Sequence, residues 1–229
     1  YQYNWGYDPQ NYNVPEGSYA SDSADPKARI NELKELVQTL HRNGIRVIMD
    51  VVYNHTYRVA ESSFGKLAPN YYYRFNSNGD YSNGSGCGNE IASEHPMVRK
   101  FIIDSVLYWA QEYHIDGFRF DLMALHDQRT MGLIADKLHQ IDSSILIYGE
   151  PWTAANTPLP ATEQMRKGGQ KELKIGVFND DARDSIKGST RGTDKGFATG
   201  KIAQADQIKE AIVAGVDSFA FDPEEVINY

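Results

Sequence analysis

Cysteine is almost absent from this 229-residue chain, and Cys87 stands alone. A single thiol excludes an intramolecular disulfide and any cysteine-based metal site. No apolar run approaches the ~20 residues that a membrane span needs, and the residues after Tyr1 carry no leader pattern. Basic residues are in the minority, with 23 Lys and Arg against 31 Asp and Glu, for a net charge of −8. Nucleic acid and anionic membrane surfaces are disfavoured as partners, because both are bound through a basic footprint. A neutral polymer would not be repelled. The chain reads as soluble, with secreted, cell-surface and cytoplasmic settings all open. Its start without Met and its end at Tyr229 suggest a piece of a longer chain.

Aromatic residues are plentiful. Fifteen Tyr, nine Phe and three Trp make up 12% of the chain. Many tyrosines sit in polar, Gly-rich stretches: Tyr1, Tyr3, Tyr7, Tyr12, Tyr71, Tyr72, Tyr73 and Tyr81. Such rings suit the faces of sugars, and they equally suit packing loops onto a core while the hydroxyl stays wet. Both readings are open.

Residues 1–25 read as a loop. Asp25-Pro26 then supplies an N-cap and a Pro at the first helical position, and Ile30, Leu33, Leu36, Val37 and Leu40 recur at helical spacing up to Gly44. Arg46 to Val52 is a short run apolar on both faces, as in a buried parallel strand. Residues 54–95 form a long polar insertion without apparent structure of their own, a length that is usually functional. Pro96 opens a second helix with a stripe of Val98, Phe101, Ile102, Val106 and Trp109. Strands are expected at 117–121, 144–150 and 175–178, and helices at 127–139 and about 204–214. Alternation of strand and helix argues for a parallel α/β sheet, closed or open.

Carboxylates punctuate the strands. Asp50, Asp121 and Glu150 each terminate an apolar run, which in a barrel is the rim where active sites are built. Arg119 and Asp121 share one strand face, and Leu146, Tyr148 and Glu150 share another. Consecutive strands lie ~4.8 Å apart, close to the ~5–5.5 Å that separates the two carboxyls of a retaining glycosidase. Arg119 would favour ionised Asp121, and an aromatic wall at Trp152 would favour protonated Glu150. A structural ion pair and a helix-capping glutamate would leave the same trace.

The motifs Asp50-Val51-Val52-Tyr53-Asn54-His55, Gly117-Phe118-Arg119-Phe120-Asp121 and Gly149-Glu150-Pro151-Trp152 resemble, in order, three sequence blocks of the α-amylase family of glycoside hydrolases. The stretches Tyr3 to Pro9, Asn83 to Glu90 and Asp121 to Ala124 resemble its type I pullulanase branch. The resemblance implies a partial (β/α)8 TIM barrel, about strands 3–6 with their helices, truncated at both ends. Residues 1–229 would be part of one catalytic domain with its strand-3 insertion at about 54–95.

Retaining hydrolysis of α-1,6 branch bonds in pullulan, amylopectin or related α-glucans follows from the same likeness. Asp121 would be the nucleophile and Glu150 the acid/base. Arg119 would hold Asp121, Tyr7 would stack on the sugar, His55 would touch it, Asp50 would brace the site and Trp152 would line the branch side. No cofactor is implied; a structural calcium is conceivable in the parent enzyme, since Asn54 matches a calcium position of many α-amylases. The family's fourth block, a His-Asp pair, is missing, with Phe219–Tyr229 resembling its approach, so the segment alone is expected to be inactive.

Rival readings are an isoamylase, glycogen-debranching or branching enzyme, an inactive glucan-binding barrel, and a Mg²⁺-dependent enolase-type barrel. Against the last, no Lys lies in any expected strand and Arg119 would repel a cation. The glycines Gly84, Gly86 and Gly88 lack the flanking strand and helix of a phosphate cradle. The other histidines, His41, His95, His114, His126 and His139, read as surface or capping residues.

Overall fold

In the computed structural model, residues 5–190 and 192–213 are described. They fall into two compact units that divide after Val177. The expectation for Phe219–Tyr229 lies outside the described residues, as do Tyr3 and Asn4 of the stretch Tyr3 to Pro9.

The first unit holds helices α1 (Pro26–Arg42), α2 (Ser63–Leu67), α3 (Pro96–Glu112) and α4 (Gln128–Ile141). Its strands are β1 (Ile48–Val51), β2 (Gly117–Phe120), β3 (Leu146–Gly149) and β4 (Gly176–Val177). All strand pairs are parallel and the order is β1-β2-β3-β4. Chain order without a reversal is that of a stretch of (β/α) barrel, whereas an open doubly wound sheet turns back at a switch point.

Local chemistry explains the helix boundaries. Asp25 caps α1 by accepting from Lys27 N, and Asp127 caps α4 by accepting from Thr130 N. Pro96 starts α3 at a position whose N–H would have no helical partner anyway. At the end of α1, Gly44 takes φ +70°, and Gly44 N and Ile45 N close back onto His41 O and Leu40 O. That left-handed step is cheap only without a Cβ.

Alternation along the strands sorts the sheet into two faces. Val51, Phe118, Phe120 and Ile147 are buried with Val98, Ile102, Val106 and Trp109 of α3 and Met131, Ile134 and Leu138 of α4. Each such large side chain contributes roughly 1.5–3 kcal/mol on burial. Ile48, Asp50, Arg119, Leu146 and Tyr148 lie on the other face, where Leu146 is 48% exposed. The expectation of a first strand buried on both sides is therefore corrected: only Val51 of β1 is buried. On α1, Val37 is buried while Ile30 and Leu36 are exposed.

The insertion at 54–95 is more ordered than its composition suggests. It contains α2 and the antiparallel bridges Tyr73↔Ile91 and Phe75↔Tyr81. Phe64 stacks on Tyr72 with centroids 4.3 Å apart, Tyr12 stacks on Tyr53 at 5.7 Å, and Tyr73 is buried. For these tyrosines the packing reading holds. His126 also departs from expectation, being fully buried against the edge of Phe120.

In the second unit, α5 (Asp180–Lys187) packs against α6 (Ala205–Val213). Asn179 caps α5, and Asp180 and Asp181 in the first turn with Lys187 in the last complement the helix dipole.

Candidate active site

Asp121 and Glu150 directly follow β2 and β3 and continue their ladders. Asp121 N donates to Val51 O and Glu150 N to Phe120 O, both at 3.1 Å. Since Arg119 pairs with Tyr148 and Phe120 with Gly149, the next step of the register sets the two carboxylates side by side on neighbouring strands. Asp50 differs from the expectation of a strand end. It lies within β1, opposite Arg119.

One guanidinium ties the three acids together. Arg119 Nη1 donates to Asp50 Oδ1 at 2.9 Å and to Asp121 Oδ1 at 3.0 Å, and Nη2 donates to Glu150 Oε1 at 2.7 Å. The side chains of Arg119, Asp121 and Glu150 are about one-sixth exposed, so solvent screens these contacts weakly. Burial works against the Arg119 charge, but Glu150, Asp121 and Asp50 outweigh it and its pKa lies above the ordinary value. Burial also pushes the Glu150 carboxyl above its ordinary range, even though the Leu122 N–H and Arg119 pull the other way. A raised carboxyl is what a general acid requires.

Backbone holds Glu150 from its other side. Leu122 N donates to Glu150 Oε2 at 2.9 Å and Ala124 N to Glu150 O at 3.2 Å. Leu122 takes φ +41°, ψ +51°, a left-handed conformation that a Cβ disfavours. Its N–H contribution was invisible in sequence, because no Gly or Asn marks the turn. Asn54 is a second residue whose role the motif did not disclose. Its amide Nδ2 donates to both Asp121 O and Asp121 Oδ2 at 2.9 Å.

Asn54 does not fit a cation site. Its nitrogen is committed to Asp121 and its Oδ1 meets His55 Nδ1 at 2.6 Å. Among the described residues, no group of three or more His, Cys, Asp or Glu is arranged to hold a metal ion. A Mg²⁺ among the three acids would meet the Arg119 guanidinium. Each of the three carboxylates already bonds a cation of the chain's own.

Tyr7 and His55 also reach this cluster. The Tyr7 hydroxyl donates to Asp50 Oδ2 at 2.7 Å, and that bond with burial pushes its pKa up to about 12. Its ring lies beside the Arg119 guanidinium, 6.0 Å from centroid to Cζ. His55 is 1% exposed, with Nε2 3.0 Å from Tyr7 O, and burial lowers its pKa. A neutral ring can donate to only one of its two oxygen neighbours. Its nitrogens face Tyr7 and Asn54 rather than solvent. Trp152 follows buried Pro151 and is half-buried.

No family model matches the chain. It is 44% identical to a pullulanase of Bacillus subtilis over 99% of its own length and 32% of that protein. The solved pullulanase of Bacillus acidopullulyticus superposes with a TM-score of 0.91 and 55% identity, covering 95% of this chain and 27% of that one. A Paenibacillus barengoltzii pullulanase solved with maltohexaose and alpha-cyclodextrin gives 0.90 and 50%, covering 94% and 33%. The chain thus spans about a third of the length of these relatives. Parallel strand order and similarity along nearly the whole sequence place the chain among the pullulanases, as a fragment that matches part of a (β/α) barrel.

Proposed function

We propose that the protein containing this segment hydrolyses α-1,6-glucosidic branch bonds of an α-glucan with retention of configuration. Asp121 attacks the anomeric carbon, and Glu150 protonates the departing oxygen and then activates water. The observation that carries this is the bridge from Arg119 to both acids, at 3.0 Å and 2.7 Å from adjacent strands. Two acids on adjacent strands sharing one guanidinium support the close spacing of a retaining pair over the wider ~6.5–9.5 Å of an inverting one. The unequal environments support the division of roles. Asp121 accepts hydrogen bonds from Arg119 and Asn54, while Glu150 has its carboxyl raised by burial.

The α-glucan substrate is inferred from the pullulanase relatives and from the Tyr7 and Trp152 rings close to the acids in space or in sequence. Asp50 braces Arg119 and Tyr7, and His55 supports the Tyr7 backbone. Proton NMR of the first product from pullulan tests the reading in the full-length parent. The α-anomer is expected, and initial formation of the β-anomer would overturn it.

A further inference from the structure

We propose that the loop Asn83–Glu90 braces the site across the strand that carries Asp121, with Asn89, Glu90 and Thr157 as positioning residues for the wall that begins at Trp152. The role of Trp152 as a sugar-facing wall rests on the proposed function; the brace itself does not.

Asp121 directly follows β2, and β1 and β3 flank that strand. The loop bonds to the segments leaving both flanking strands. On the β1 side, Asn89 grips Thr56 at two points, Oδ1 accepting from Thr56 N at 3.0 Å and Nδ2 donating to Thr56 O at 2.7 Å. Ile91 N adds a bond to Asn54 O at 2.8 Å. On the β3 side, Gly84 O accepts from Ala154 N at 3.0 Å and Ala155 N at 2.9 Å. Thr157 Oγ1 donates to Glu90 Oε1.

Glu90 is the keystone of this arrangement. It is 0% exposed, accepts from Gly84 N through Oε2, and pairs with Arg74 through Oε1 at 3.2 Å. Arg74 is in turn held by Glu94. A buried carboxylate is costly to desolvate and is tolerated only when paired and fully bonded. Apolar packing could close a loop without that cost, whereas a buried ion pair fixes one geometry. Gly84 is required by proximity: a Cβ there would lie 2.3 Å from Glu90 Oε2 and 2.7 Å from Leu125 Cδ2. The same loop that resembles a phosphate cradle in sequence thus turns its backbone toward its own carboxylate.

The test uses the full-length parent. Thr157→Val removes one arm of the brace and leaves the Arg74–Glu90 pair intact, so folding is spared; Glu90→Gln is the second variant. Losing the bond to Glu90, together with the longer one from Leu159 N at 3.2 Å, should speed amide exchange in the peptide covering 152–157 roughly five- to tenfold, and raise KM for pullulan about fivefold with a smaller fall in kcat. Thr157→Ser should restore both. Unchanged exchange at 154–155 overturns the brace, and faster exchange with unchanged KM overturns its positioning role. If the wild-type parent hydrolyses no α-glucan, the proposed function fails, and the exchange data still decide the brace.

Discussion

Arg119 Nη2 donates to Glu150 Oε1 at 2.7 Å across a strand boundary, while Nη1 of the same side chain holds Asp121 at 3.0 Å. The fork spans both acids because it is planar and carries several donors in fixed directions. A lysine supplies one point charge and cannot serve both. Arg119→Lys is therefore expected to lower kcat of the parent by roughly a hundredfold, the equivalent of about 2–3 kcal/mol of charge-assisted bonding. Steady-state kinetics on pullulan check this, and a loss below threefold would mean the bridge is incidental.

Glu150 should set the alkaline limb of the pH profile. As the proposed acid it must be protonated, so kcat/KM falls as pH rises through its pKa, which burial holds above the ordinary carboxyl range. Arg119 is among the groups that lower that pKa. Removing its charge in Arg119→Met should move the limb to higher pH, although the rate itself is depressed. A shift to lower pH would show that another group is the acid.

Asn54 offers a separate lever on Asp121, the proposed nucleophile. Its Nδ2 contacts the Asp121 carboxylate and its main-chain oxygen at 2.9 Å each. Asn54→Ala should cut kcat by roughly tenfold with little change in KM, since one hydrogen bond to a charged group is lost. Asn54→Asp should be worse, because a second carboxylate would face Asp121. Equal activity of Asn54→Asp and wild type in kinetic assays would reject this role.

The framework of the first unit was legible because its signals are local. Pro26 and Pro96 at helix starts, the Asp25 and Asp127 caps, and apolar spacing within α3 and α4 each act over a few residues. Asp121 and Glu150 could be marked because a polar residue ending an apolar strand is itself a local anomaly. What stayed hidden depends on reach or rare backbone. The span of Arg119 over three acids needs the register of three strands. The left-handed turn at Leu122 has no Gly to announce it. Helix α5 buries only Ser185 among its residues, so no apolar stripe exists to be read. His126 gives no cue to its burial either, being a single residue between the 3-10 turn Met123–Leu125 and the cap Asp127.

That burial gives the last prediction, which concerns stability. His126 is 1% exposed; its Nδ1 lies 3.3 Å from Met123 O, and its Nε2 finds no partner among the described residues. Burial, with Arg74 nearby, pushes its pKa down to about 4 from 6.5. A depressed pKa means that the unfolded chain binds the proton more readily than the folded one. The stability is therefore fully present above pH ~6.5 and is lost progressively as pH falls toward ~4. Over that window the loss amounts to about 3 kcal/mol, since each pKa unit is worth about 1.4 kcal/mol. Urea midpoints of the parent at about pH 7 and pH 4.5 should differ accordingly. Other acids titrate near the lower end, so the informative quantity is the difference from His126→Leu, which has no proton to gain. The variant should start less stable at neutral pH, having lost the Met123 contact, and then decline less on acidification. Parallel declines for the two proteins would mean that the acid sensitivity of this unit arises elsewhere.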